Sequence, residues 1–344
     1  MNKTNQKKKF KIGKINGNTY LLMITILLFI VMYVAGMIVF EDRGFAKPQM
    51  FLNLFISNAG LLVIALGETI VMITGGIDIS VGSVTALVCM ASASLMEKQG
   101  VSAYVALAVA LGIGMLMGIV QGFLISYLEI QPFIVTLAGL FFARGMTSVI
   151  STQMINIENE VFKTWANYKI LMPFGSLSRR GKFIPAYIYP TVIVAIVVFI
   201  VIAVVMKFTK FGRSIYAVGG NQQSAKMMGI NVKATKFKAY VLAGLLTGIG
   251  GFLFCLNSCA GFVEQAKGLE MDAISSAVIG GTLLSGGVGT PVGTIFGVLI
   301  NGTIQSLITT QGTLSSWWVR IVLSALLCFF IVLQAIFARA KKKK

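Results

Sequence analysis

Histidine is absent from this 344-residue chain, and only eleven residues are acidic. The commonest general base and the commonest zinc-binding side chain are therefore both missing. The four cysteines, Cys89, Cys255, Cys259 and Cys328, all lie in or beside apolar segments, so neither a disulfide framework nor a metal centre is expected. Cys255 and Cys259 share a helical face, which packing explains better than a soft-metal site. No cluster of Asp, His or Cys is present to support the metal-dependent chemistry of an integral membrane enzyme. The G-x-x-x-x-G-K-[ST] phosphate loop is also absent, so the chain is read as a non-enzyme with no catalytic residue, no metal and no cofactor of its own.

What the chain has instead is apolar length. Hydrophobic residues make up 56% of it, charged residues 12%, and the mean hydropathy is +0.86. That is more apolar side chain than a soluble core of this size can bury, and a bilayer is the natural solvent for the surplus. The apolar residues fall into runs near the length that crosses hydrocarbon. The segments at 20–40, 51–74, 80–96, 101–128, 133–150, 186–206, 239–256, 272–284, 290–309 and 317–337 are read as spans, giving an all-α, polytopic membrane protein of about ten transmembrane helices. The first follows a basic, Asn-rich stretch with no cleavage site after it, so it reads as an uncleaved span and not as a signal peptide.

Charge orients these spans. The net charge of +18 sits at the ends of apolar runs, which membrane topology and anionic lipid explain without nucleic acid. With both termini cytoplasmic, eighteen of the twenty-nine Lys and Arg residues fall inside: in a leader (1–19), in the 207–238 loop and in a tail (339–344). The membrane-spanning body is then 20–338. The extracytoplasmic segment 151–185 fits this scheme least well, since it exports five basic residues against Glu158 and Glu160. Making both 80–96 and 272–284 re-entrant would export the 207–238 loop, which has seven basic residues and no acidic one, and is rejected on that ground.

Small residues recur at helical contact spacing in Gly114, Gly118 and Gly122, in Gly244 and Gly248, and in Gly293 and Gly297. Such stripes serve as hinges or pore walls, but close helix packing is the simpler reading. Two glycine-rich breaks interrupt the apolar pattern, one at 74–83 and one at 280–290. Paired interruptions in two halves are a pointer to a transport pathway, while tight cytoplasmic turns, with Asp78 or Ser80 capping the next helix, account for them equally well. Both readings stand at this point.

Ionisable residues inside the spans are Glu68, Asp78, Arg144, Asp272 and Arg320, with Glu129 at a boundary. Each is a functional candidate by default, with snorkelling as the alternative near a span end; Glu68 lies deepest. Glu68, Asp78 and Asp272, with the neutral Asn58, Gln121, Asn257, Asn301 and Gln305, form the candidate set for a path taking a hydroxyl-rich solute, against the plainer reading of interhelical hydrogen bonds. Residues 217–230, between the basic clusters of the 207–238 loop, have helical spacing ending in Gly229 and read as a short helix offered to a partner, or else as a solvated or lipid-facing one.

From about Tyr20 to Phe337 the chain resembles the permease subunits of bacterial ATP-binding-cassette importers for monosaccharides of the ribose, xylose and galactose type. The resemblance is carried by 74–83, by 219–230 and by Leu269-Glu270-Met271-Asp272-Ala273-Ile274 leading into 280–289. Residues 133–139 with Ala143-Arg144-Gly145, and 312–318, are similar to the galactofuranose-type branch. The resemblance implies a multi-pass permease of the bacterial cell membrane that moves a galactose, galactofuranose or ribose-like sugar by alternating access. It implies that Gly220, Asn221, Ala225, Gly229 and Ile230 form the coupling helix that docks on a separate ATPase, where ATP and Mg bind. The implied partners are that ATPase, a second permease subunit, identical or paralogous, and an extracytoplasmic sugar-binding protein facing 151–185. An ion-coupled secondary transporter acting alone is the rival, and the scarcity of titratable groups speaks against it.

Overall fold

Four of the six prolines stand at the first position of a long helix, where a missing N–H costs nothing. The computed structural model describes residues 17–177, 183–315 and 317–342. Residues 1–16 of the basic leader, Arg179, Arg180 and Lys182 of the 151–185 segment, Ser316, and Lys343 and Lys344 lie outside them. The helices are α1 (Gly17–Val39), α2 (Pro48–Ile73), α3 (Val81–Lys98), α4 (Ala103–Ser126), α5 (Pro132–Ile150), α6 (Glu160–Asn167), α7 (Pro190–Phe208), α8 (Lys210–Gly220), α9 (Gln222–Met227), α10 (Val232–Ser258), α11 (Leu269–Ile279), α12 (Pro291–Gln311) and α13 (Trp317–Lys342). A 3-10 turn (Glu41–Arg43) and four short strands, β1 (Ile155–Asn156), β2 (Ile170–Leu177), β3 (Phe183–Ile188) and β4 (Ala260–Gly261), are the remaining elements among the described residues.

Among the described residues eight helices, α1, α2, α4, α5, α7, α10, α12 and α13, are long and apolar enough to cross a membrane. The other two expected spans are α3 and α11. At 1.5 Å per residue, α3 with 18 residues is about 27 Å long and α11 with 11 residues about 16 Å. The expected span at 272–284 is therefore corrected: its helix begins at Leu269 and stops at Ile279, because Gly280 and Gly281 turn the chain, Gly281 at φ 91°.

The two central helices, α2 and α10, are antiparallel: Gly60 meets Gly250 and Phe254, and Gly67 meets Ala243 and Leu246. The glycine stripe of α4 faces that of α10, with Gly114 against Gly244 and Gly248, and Gly118 against Gly244 and Tyr240. A Cβ at Gly114 would lie 2.6 Å from Gly248 N, so the stripe is close packing of backbone on backbone. Likewise Gly293 meets Gly280 and Gly297 meets Ser276, which sets α12 antiparallel to α11. In that register Leu269 is level with Ile304, and α12 runs on to Gln311 beyond the start of α11. Between α2 and α12, Thr69 and Thr294 share a hydroxyl hydrogen bond of 2.6 Å.

After α2 the chain folds back beside its own helix, so that α3 begins inside the bundle, and the loop after α10 does the same before α11. The α3 helix runs parallel to α10, with Thr85 and Val88 at Gly251 and Met90 at Gly261, whereas α11 runs the opposite way. The N-termini of these two short helices meet where Gly82 lies against Ala266 and Glu270.

The described parts of segment 151–185 gather at one end of the bundle. There β1 pairs antiparallel with β4 (Ile155↔Gly261), and β2 with β3 (Leu177↔Phe183). Glu97 Oε1 accepts from Glu158 N and Asn159 N at 2.8 and 3.0 Å, and Gln49 exchanges hydrogen bonds with the backbone of Tyr187, which ties the hairpin to α2 and α3. Helices α8 and α9 lie at the other end. The single helix expected over 217–230 is thus two, because Asn221 leaves helical geometry (φ −161°) to cap α9, accepting from Ser224 N at 2.8 Å.

Candidate functional site

The three stretches that stand out in the sequence meet at the α8–α9 end. Ile73, the last residue of α2, accepts from Gly287 N at 2.8 Å, which joins the first glycine-rich break to the second. Gly219 of α8 sits on that bond: a Cβ there would overlap Ile73 O and lie 2.6 Å from Gly287 N. Gly286, at φ 86°, packs against Gly75 N, and Tyr216 Oη donates to Gly289 O at 2.9 Å. Two turns and a helix end thus make a backbone junction that no side chain could enter. Of the two readings left open for the breaks, tight turns describe their tips, while their inner arms enter the bundle.

The inner arm of the first break carries a buried polar chain. Glu68 Oε1 accepts from Asp78 N at 3.2 Å, and Asp78 Oδ1 accepts from Ser80 N at 2.9 Å and Ser80 Oγ at 2.6 Å. Gln121 of α4 donates from Nε2 to Ser80 Oγ at 2.9 Å, and Tyr240 of α10 donates to Ile77 O at 3.3 Å. Glu68, Asp78 and Gln121 are all at most 5% exposed. Glu68 Oε2 and, at the meeting of α3 and α11, Glu270 Oε2 are buried without a hydrogen-bond partner, while Glu270 Oε1 accepts from Gly268 N at 3.2 Å. Glu270 stands where the positive dipole ends of these two short helices converge, an arrangement used at binding sites in membrane transporters.

The remaining pathway candidates are dispersed. Asn58 donates to Leu54 O at 2.8 Å and fills the space opposite Gly302. Asn301 is buried beside Asp272, and Asp272 faces a cavity between α11 and α13. Gln305 is exposed on α12, and Asn257 is exposed at the hairpin end near Asn167 and Tyr189. The eight candidates therefore share no one cavity: Glu68, Asp78 and Gln121 form one network, and Asp272 and Asn301 lie beside each other elsewhere. Sequence reasoning missed Tyr216 and Tyr240 as parts of the site, while Ser80 and Gly287 are read only as members of the two glycine-rich breaks.

The candidate coupling residues form one compact turn. Ala225 is fully buried, Ile230 N donates back to Ala225 O at 3.0 Å, and Gly229 closes α9 at φ 79°. Met227 and Met228, next to them, are bare at 84% and 67% exposure. Beside α9 lies a cleft of about 790 Å³ lined by Glu129, Gln131, Lys226, Lys233 and Lys236. Glu129, in the α4–α5 turn, pairs with Lys233 Nζ at 2.8 Å, and that lysine holds its carboxyl below the ordinary glutamate range. Among the described residues no group of three or more His, Cys, Asp or Glu could hold a metal ion.

The family described as branched-chain amino acid transport system / permease component matches residues 50–331. The chain is 41% identical over 314 residues to the inner membrane ABC transporter permease protein YjfF of Escherichia coli, with 91% of each chain covered. It is 32% identical to the fructose import permease protein FruG of Bifidobacterium longum, over 93% of this chain and 92% of that one. To the ribose import permease protein RbsC of Bacillus subtilis it is 34% identical, over 85% of this chain and 87% of the relative. No solved structure matches.

Proposed function

Because the chain belongs to the branched-chain amino acid transport system / permease component family, we propose that it is the membrane-spanning subunit of an ATP-driven monosaccharide importer in the bacterial inner membrane. Its sugar is of the ribose, fructose or galactose class, as the printed functions of its relatives suggest. Both termini and the α8–α9 end face the cytoplasm, as the charge distribution favours. ATP and Mg bind on a separate ATPase, a second permease subunit completes the membrane part, and an extracytoplasmic binding protein delivers the sugar to the hairpin end.

The observation that carries the mechanism is the backbone junction at Gly219. The α9 turn, with Asn221, Ala225, Gly229 and Ile230, is the ATPase-facing element, and α8 ends on both glycine-rich breaks through Gly219 and Tyr216. A displacement of α9 by the ATPase reaches both breaks together, and through them α3 and α11. Packed elements joined this way shift between discrete arrangements, which is what alternating access requires. Glu68, Asp78, Ser80 and Gln121 hold the fold-back segment as one unit during that shift.

The test is purification from the native membrane in mild detergent, identification of co-purifying chains, and sugar uptake into proteoliposomes. Recovery of an ATPase with ATP-dependent sugar uptake supports the proposal. Transport by the isolated chain without ATP overturns it.

A further inference from the structure

We propose that the cavity between α11 and the first turns of α13 is a transit site for one monosaccharide, gripped between Asp272 and Arg320. This deepens the sugar-importer reading and rests on it. The cavity measures about 160 Å³, which suits a single sugar ring, and its polar wall is Asp272, Ser275, Arg320 and Ser324. Leu323 and Leu327 supply an apolar wall.

Asp272 and Arg320 both face this space, yet they form no ion pair with each other. Arg320 is fixed by other means. Arg320 Nη2 donates to Lys267 O at 2.8 Å, and Gly268, at φ 90°, leaves room for the guanidinium where a Cβ would come within 2.7 Å of it. Asn301 lies beside the Asp272 carboxylate, buried, with its Nδ2 free of any hydrogen-bond partner.

A carboxylate and a guanidinium held apart in an apolar helical setting are costly unless a polar solute or water lies between them. A polyol satisfies both at once: one hydroxyl donates to the carboxylate while another accepts from the guanidinium. The serines extend that grip, and the leucines meet the C–H face of a ring. Trp317, on the hairpin-end side of Arg320 and in cation–π contact with it at 5.7 Å, gives the mouth an aromatic edge. A simple anion would be repelled by Asp272 and a simple cation by Arg320, which leaves neutral polyols and zwitterions; the import functions printed for the relatives favour the polyol.

The test uses the whole transporter, with its ATPase and binding protein, in proteoliposomes supplied with ribose, fructose or galactose and, separately, with leucine. Two variants are compared with the wild type: Asp272→Asn, which removes the carboxylate charge, and Ser324→Leu, which fills the cavity from its exposed wall. Both are expected to lower sugar uptake at least tenfold while ATP hydrolysis and subunit assembly persist, so that ATP spent per sugar rises. Wild-type uptake in both variants overturns the transit site and leaves the importer reading intact. Equal loss of hydrolysis and uptake also overturns it, since the residues would then be structural. A wild-type transporter that carries leucine and none of the sugars overturns the importer reading itself.

Discussion

Gly287 N donates to Ile73 O at 2.8 Å, so the turn that follows α11 is hydrogen-bonded to the last residue of α2, and Gly219 of α8 covers the bond. Two breaks far apart in sequence and the end of α8 are thereby one mechanical unit.

Gly219→Val drives a branched side chain into Ile73 O and Gly287 N. Overpacking of this kind costs about 1–3 kcal/mol, and here it falls on the junction itself. ATP-driven uptake is expected to drop sharply while the chain still inserts. Gly112→Ala on α4, with nothing within 4 Å of its Cβ, is expected to transport normally. Equal uptake by the two variants in a proteoliposome assay contradicts the role of the junction.

At Gly229 the backbone is left-handed, φ 79°. A β-branched residue there costs about 1–2 kcal/mol, whereas asparagine tolerates the conformation. Gly229→Val is expected to lose co-purification with the ATPase and Gly229→Asn to keep it. An affinity pull-down in which Val binds as well as Asn removes α9 from the interface.

Glu68 holds the first break by accepting from Asp78 N. Glu68→Gln keeps that acceptor and is expected to retain the fold; Glu68→Leu orphans a buried N–H at a cost of about 1–3 kcal/mol. The comparison is made by thermal unfolding in detergent. A leucine variant as stable as the glutamine one shows that the hydrogen bond contributes nothing.

The Glu129–Lys233 pair gives a pH signature. Lys233 depresses the folded-state pKa of Glu129 below 4.5, so the pair's contribution is complete above that value and is lost as pH falls through the folded pKa. From pH 6 to 8 the wild type and Glu129→Gln should therefore differ by a constant amount, narrowing only in acid and shrinking in high salt, since the pair is exposed. A difference that changes between pH 6 and 8 rules this account out.

The membrane class, the eight long helices and the two breaks were legible because apolar runs and glycine clusters are local signals. So was the crossing pattern: the basic 207–238 segment demanded an even number of crossings on either side of it, and α3 and α11, each with the fold-back segment beside it, carry the chain from one end of the bundle to the other. The shortness of the 272–284 span was legible as well, but the fold-back of the chain before α3 was not, because that segment is held by remote partners such as Tyr240 and Glu68. Asn58, which reads as a path-lining residue, donates to its own helix at Leu54 O. Composition cannot distinguish a polar side chain facing a solute from one facing the preceding turn.

The junction at Gly219 is made almost wholly of main chain, and main-chain dimensions are the same in every protein. Its spacing can be broken by substitution but not graded, since any Cβ at Gly219 collides and no smaller residue exists. Selection acting on cargo, lipid or partner surfaces is therefore free to rewrite the side chains around it while the linkage keeps one fixed length.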